Sequence, residues 1–345
     1  MSIPVWIGFF APVPRCRQSG CVWPLMTVQC VDDRPGWASP VVARRQLGLE
    51  LRLLRERAGK STAEVARALY WSPSKISRYE LGRKYESAKA ARAAVPAEVD
   101  RLLGYFGVTG TQRDHLAKLA HVATQTSWWD AYAGDIPEPQ RELIGLEHGA
   151  ASILIWQTCI IPPLLQTEEY ARHVVRTGRH VQPIPPQQAA RRVDVTMMRQ
   201  QLLTRDSPPQ VMVVLDEAAL RHPAGGTQVM HEQLRRLAGL GGGHPAVTVQ
   251  VLPLTAQQPV FTGGPFTIIG FGSAVDDVLP DVVAIDHLTS SYLIDGEQEA
   301  HLYRLAFGRL AAAALDPAAS QGLLKELSDA ALPALAPGES GEFVT

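Results

Sequence analysis

The chain has 345 residues, 46% of them hydrophobic and 19% charged, with a formal net charge of −1. That length suits two domains, and the near-neutral balance excludes a uniformly basic or acidic protein. No apolar run reaches the roughly 18 residues of a membrane-spanning helix. The four cysteines, three of them in the first 30 residues, lack the spacing of zinc ligands and fit a reducing cytoplasm.

In chain order, residues 1–39 are rich in proline, contain three tryptophans and show no helical or strand period. They are expected to be a disordered extension, with Met26 as an alternative start. A first helix runs through Leu47, Leu51 and Leu54, one face at i, i+4 and i+7. Ser61 and Glu64 then form a capping box, which satisfies free backbone donors at a helix start. Val65, Ala66 and Leu69 give that second helix an apolar face. Tyr70-Trp71 breaks it. Ser72-Pro73 opens a third helix, with Ser as N-cap and Pro where its missing N–H costs nothing. On this helix Ile76 and Tyr79 face inward while Ser74, Lys75, Ser77 and Arg78 face outward, and Leu81-Gly82 ends it with a residue suited to left-handed backbone.

These three elements predict a helix-turn-helix, with the third helix as the one that reads DNA. Between Val41 and Arg92 there are 13 Lys and Arg against 5 Asp and Glu, a balance of +8 that leaves −9 for the rest of the chain. A basic module on an acidic body is the electrostatic footprint of a nucleic-acid reader. Ser74, Ser77 and Arg78 are the candidates for base edges, and Thr62, Lys75, Arg83 and Lys84 for phosphates. Double-stranded DNA with two half-sites is the expected partner and a homodimer the expected species, because one such module discriminates poorly among competing sites. Val99, Leu102, Leu103 and Phe106 predict a fourth helix ended by Gly107. Thr111 is expected to cap a fifth through Leu116, Leu119 and Ala120. The fold of Tyr85–Pro96 is left open by propensity alone.

Leu47–Arg83 resembles the helix-turn-helix domains of phage-repressor and Cro type, also called xenobiotic-response-element type. LRLLRERAGKSTAEVARAL followed by SPSKISRYELGRK carries that family's Gly, Ser, Ile-Ser-Arg and Glu-x-Gly positions. Lys60 stands where the family usually has Leu, and Tyr70 where it has Gly. The resemblance implies that Arg55 and Glu80 form a structural pair and do not contact DNA. Breaking a partly buried pair from one side costs about 3–5 kcal/mol.

From about Ser127 the character changes. Trp128, Trp129 and Tyr132 are expected to pack the linker onto the next domain, and Pro137 and Pro139 mark a turn before GLEHGAASILIWQ. Arg191–Thr204, Gln228–Leu240, Glu297–Ala314 and Pro317–Leu327 read as helices. Val211–Leu215, Val247–Leu252, Phe266–Phe271, Val282–Ile285 and Tyr292–Ile294 read as strands. Strands that first alternate with helices and then follow one another imply a mixed sheet with helices packed on it. The fold class is therefore α+β: an all-α module at 40–125, a linker at 126–144, a mixed-sheet domain at 145–330 and a disordered tail at 331–345.

Gly225-Gly226 and Gly241–Gly243 fit no phosphate-loop pattern and are read as turns. Asp216-Glu217 reads as a helix cap, and His222 and His231 as ordinary surface or interface residues. With no catalytic motif, no enzyme, metal or cofactor is expected. Gly145–Leu327 resembles, through IPPLLQTEEYARHVVRTGR, RRVDVTMMRQQLLTR and VLDEAALRHPAGGTQVMHEQLRRL, the C-terminal domain of unknown function attached to such modules in actinobacteria. The two-domain layout is similar to that of the WhiJ-like, antitoxin-like regulators of streptomycetes. That resemblance implies a cytoplasmic, nucleoid-associated transcriptional regulator with a small partner protein encoded nearby. The alternative is a small-molecule receptor or enzyme-like domain tethered to DNA by the helix-turn-helix.

Overall fold

The computed structural model describes residues 39–83, 85, 88–178, 183–256, 264–272, 279–286 and 291–331. The expectations for residues 1–38, for Lys84 and for the tail from 332 onward lie outside the described residues. Five helices form the N-terminal module: α1 (Pro40–Arg57), α2 (Thr62–Leu69), α3 (Pro73–Glu80), α4 (Ala88–Tyr105) and α5 (Gly110–Val122). Their core is Leu47, Leu51, Val65, Ala66, Ile76, Tyr79, Val99, Leu103, Leu116 and neighbours. The open segment before Val99 resolves as part of α4, which continues through Pro96. Buried Ala91 and Val95 lie on the same face as Val99 and Leu102, and that packing outweighs the lost backbone bond. α5 starts at Gly110, so its N-cap position is Thr109 instead of Thr111, and Thr109 makes no side-chain cap.

The second unit is built on a six-stranded sheet among the described residues, in order β3-β2-β1-β4-β5-β6. The strands are β1 (Ser152–Gln157), β2 (Gln210–Asp216), β3 (Val247–Leu252), β4 (Phe266–Gly270), β5 (Val282–Asp286) and β6 (Ser291–Ile294). β1, β2 and β3 are parallel, and β4, β5 and β6 continue from β1 antiparallel. Side chains alternate between two cores. Ile153, Ile155, Val211, Val213, Val249 and Val251 face one side. Trp156, Val214, Phe266, Ile268 and Val283 face the other.

The larger core is covered by α6 (Glu138–His148), α7 (Glu168–Gly178), α8 (Pro186–Arg199), α10 (Thr227–Gly243) and α12 (Pro317–Ala331), the smaller by α11 (Glu297–Ala313). The short α9 (Glu217–Arg221) follows β2 and is capped by the Asp216 carboxylate, which accepts from the Ala218 N–H at 2.9 Å.

Two expectations change here. Across residues 126–144 the aromatics pack on the next domain as expected: a 3-10 helix (Trp128–Tyr132) and α6 occupy the segment, and Trp129, Ile136, Leu143 and Ile144 enter the larger core. Pro137 is the N-cap of α6, so the proline pair opens a helix in place of a turn. Gly241–Gly243 form the last turn of α10. A Cβ on Gly242 would meet the side-chain amide of Gln321 on α12, the flexible end of a side chain that can move aside. Gly225 and Gly226 do form a turn, both at positive φ.

α1 belongs to both units. Its Val41 lies in the larger core of the sheet domain and its Leu47 and Leu51 in the helical core. Ser39, at the end of the expected extension, is 3% exposed and caps α1; its hydroxyl donates to the Gly145 carbonyl of α6. A Cβ on Gly145 would lie 2.2 Å from Val41 Cγ2, so glycine is what lets α6 approach α1 this closely.

Candidate nucleic-acid interface

Local sequence chemistry sets the α2–turn–α3 unit. Ser61 Oγ accepts from the Glu64 N–H at 3.2 Å and Glu64 Oε2 accepts from the Ser61 N–H at 2.8 Å, closing the capping box. Ser72 Oγ accepts from the Lys75 N–H at 3.3 Å, with Pro73 at the first helical position. Gly82, at φ +56, ends the helix as its type allows. Tyr70 takes φ 57 and ψ 42 at the end of α2, in place of a glycine that would adopt this backbone freely. For an L-residue the left-handed region costs roughly 1–2 kcal/mol.

The recognition helix α3 is held from two sides. Toward α1, Arg55 Nε and Nη2 donate to the two Glu80 carboxylate oxygens at 2.6 and 2.9 Å. This two-point bond holds the Arg55 guanidinium further above its ordinary range, and a third bond goes to the Lys60 carbonyl at 3.0 Å. Toward α4, the Tyr79 hydroxyl donates to Glu98 at 2.5 Å and Lys75 Nζ lies 2.8 Å from the same carboxylate. Burial pushes the Glu98 carboxyl up, but the bonds from Lys75 and Tyr79 outweigh it and leave it below its ordinary value. Burial, then the bond to Glu98, raises the Tyr79 phenol, and burial pushes Tyr85 up to about 12.

The expected site residues are therefore sorted. Ser74 and Arg78 are exposed and Ser77 half-buried along α3, with Ser74 Oγ 3.0 Å from Ser72 Oγ. Thr62 is the first residue of α2 and half-buried, and Arg83 is exposed just after α3. Lys75, expected at a phosphate, has its ammonium against Glu98 and 4.3 Å above the Trp71 ring. Its helical position looked outward, but the carboxylate that captures it is 23 residues away in the chain. Sequence reasoning also missed Arg101, which donates to the Leu69 carbonyl at 2.9 Å and lies 5.2 Å from the Trp71 ring. A tryptophan in a turn was the available signal.

Charge on this face is more selective than its total. Arg44, Arg45, Arg52, Arg55 and Lys75 are ion-paired. Arg57, Lys60, Arg67, Arg78 and Arg83 are exposed and make no ion pair among the described residues. A capped helix with short hydroxyls and an exposed guanidinium, flanked by exposed cations, is chemically equipped to hydrogen-bond base edges and neutralise phosphates.

Residues 46–116 match the family model of a helix-turn-helix domain. Residues 140–326, more than half of the chain, match that of a domain of unknown function, DUF5753. The chain belongs to the DUF5753 family. No curated protein and no solved structure matches it. The helix-turn-helix match points to a DNA-binding regulator, and no helix among the described residues is long and apolar enough to cross a membrane.

The DUF5753 domain reaches the end of the recognition helix through one guanidinium. Arg44 Nε donates to the Gly82 carbonyl at 2.9 Å while its Nη2 bonds Glu142 of α6 at 3.3 Å. Arg45 bonds the same Glu142 at 3.2 Å and Asp295, after β6, at 2.6 Å. Beside this seam opens a cleft of about 320 Å³ lined by Pro40, Trp128, Glu147, His148 and Arg199, among others. Glu147 and Arg199 form a buried two-point pair at 2.7 and 2.9 Å. Burial, with the Arg205 charge adding to it, pushes His148 down to about 4. His222 is exposed, whereas His231 is corrected to the interior: 9% exposed, with Nδ1 2.8 Å from the Ser328 carbonyl on α12.

Proposed function

We propose that this protein is a sequence-specific, homodimeric transcriptional regulator of the cytoplasm, antitoxin-like, whose DUF5753 domain binds a small partner protein. The observation that carries DNA reading is the outward face of α3, where Ser74, Ser77 and Arg78 lie and where no carboxylate among the described residues pairs with Arg78. In this role those three residues meet base edges, and Thr62, Lys75, Arg83 and Lys84 meet phosphates. Arg55 and Glu80 hold the scaffold. Two copies on one operator place their recognition helices about 34–36 Å apart, one turn of DNA. The dimer contact is assigned to the DUF5753 domain, because the acidic balance outside the module disfavours DNA there.

Selection of duplexes from a random pool by the full chain tests the role. Enrichment of a two-half-site sequence supports it, as does relaxed choice at one position with Arg78→Ala; enrichment of nothing overturns it. Sedimentation of the full chain tests the dimer. A second reading is favoured by the seam cleft beside Trp128, whose size suits a small effector. Native mass spectrometry separates the two: a stoichiometric small protein supports the first, and a bound small molecule lost with Trp128→Ala supports the second.

A further inference from the structure

Tyr70 is the only non-glycine residue at positive φ among the described residues, and its side chain is 94% exposed, the most of any large apolar or aromatic residue described. The turn itself demands this backbone: the Tyr70 N–H donates to the Arg67 carbonyl at 3.3 Å and the Trp71 N–H to the Ala66 carbonyl at 2.8 Å. A glycine would make both bonds without strain. Nothing among the described residues offsets the strain. No ring contact, cation contact or side-chain hydrogen bond involves Tyr70 among the described residues, while neighbouring Trp71 is folded in against Tyr79, Lys75 and Arg101. Strained, unsupported residues cluster where function requires them.

Tyr70 also stands at the right end of the unit. It closes α2 and precedes Ser72, the N-cap of α3, and the N-terminal end of a recognition helix is the end that enters the major groove. A residue in that turn flanks the groove wall, where the duplex presents phosphate oxygens. A phenol supplies one neutral O–H donor on a rigid arm, a group used for phosphate contacts. We propose that the Tyr70 hydroxyl donates a hydrogen bond to a DNA backbone phosphate beside the entry of α3. This rests on the DNA-binding role above and adds to it a contact that positions the helix without reading sequence.

The test uses the full chain, a mixed-sequence 30-base-pair duplex and the best duplex from the random-pool selection. Tyr70→Gly raises the thermal midpoint by a few degrees, since the strain is relieved, yet weakens binding to both duplexes by about five- to tenfold. Tyr70→Phe weakens both to a similar degree with an unchanged midpoint. Because the contact is neutral, both variants keep the wild-type salt dependence, whereas Arg83→Ala lowers its slope by about 0.9. Wild-type affinity in either variant overturns the proposal, and so does a loss confined to the selected duplex. Failure of the wild-type chain to bind any duplex is a separate outcome that removes the DNA-binding role itself.

Discussion

Two regions use arginine differently. Inside the DUF5753 domain three guanidiniums are turned inward: Arg199 is buried in a two-point pair with Glu147, Arg205 donates to the His148 and Ala150 carbonyls, and Arg236 ties Leu165 to Gln200. Burial holds Arg205 and Arg236 below their ordinary value. In the helical module Arg57, Arg67, Arg78 and Arg83 stay exposed. The same side chain is internal glue at those three inward positions, and at Arg44 and Arg55 of the helical module too, but at Arg57, Arg67, Arg78 and Arg83 it makes no ion pair among the described residues. Residue counts see only the total, whereas the geometry separates cations already satisfied from those free to meet an external anion.

The sharpest way to break the contrast is to strand an inward arginine. Glu147→Ala leaves Arg199 buried without its counter-charge and lowers stability by about 3–5 kcal/mol in urea denaturation; a change under about 1 kcal/mol would show that Arg199 is solvated after all. Next in size is a pH effect in the same place. His148 has a folded-state value of about 4 against the ordinary 6.5, so the unfolded chain binds the extra proton first. Stability is therefore full above about pH 6.5 and falls progressively toward pH 4, by up to about 3 kcal/mol. His148→Asn flattens that slope in thermal midpoints measured across the window. An unchanged slope would place the acid sensitivity elsewhere.

Smaller again is the pair that frames the interface. Glu80→Ala removes both acceptors of Arg55, but Arg55 keeps the Lys60 carbonyl and lies near water, so the loss is about 2–3 kcal/mol. Retained stability with lost DNA binding would make Arg55 and Glu80 contact residues. Smallest are the outward cations themselves. Arg78→Ala weakens binding by about 1–3 kcal/mol at one base position, and Arg83→Ala weakens all duplexes alike; both leave the thermal midpoint nearly unchanged. A drop of several degrees in either variant would mean that these arginines are glue too.

Much of the fold was legible because local rules and tertiary packing agree. Ser61 with Glu64, and Ser72 with Pro73, are caps that act within one turn, and the strands from Gln210 onward are β-branched runs between turn residues. The central strand Ser152–Gln157 was not assigned: it is a short apolar run buried on both faces, which periodicity cannot tell from a buried helix segment. α7 was hidden inside a stretch recognised only by its likeness to other chains. The Gly241–Gly243 end of α10 stays helical against propensity because the helix is packed along α12 and β3. At the candidate interface the exposure of Arg78 and Arg83 follows from local position alone. The Lys75–Glu98 and Arg44–Glu142 pairs were unforeseen, because their partners are distant in sequence and a one-dimensional pattern carries no such contact.

Duplex selection with the full chain and with Arg78→Ala, run side by side, tests most directly whether the outward face of α3 reads DNA. The account predicts that the wild-type chain enriches two half-sites with centres about 10–10.5 base pairs apart, and that Arg78→Ala keeps the spacing while losing preference at one position in each half-site. Identical selected sequences from the two proteins, or no enrichment by the wild-type chain, would contradict it.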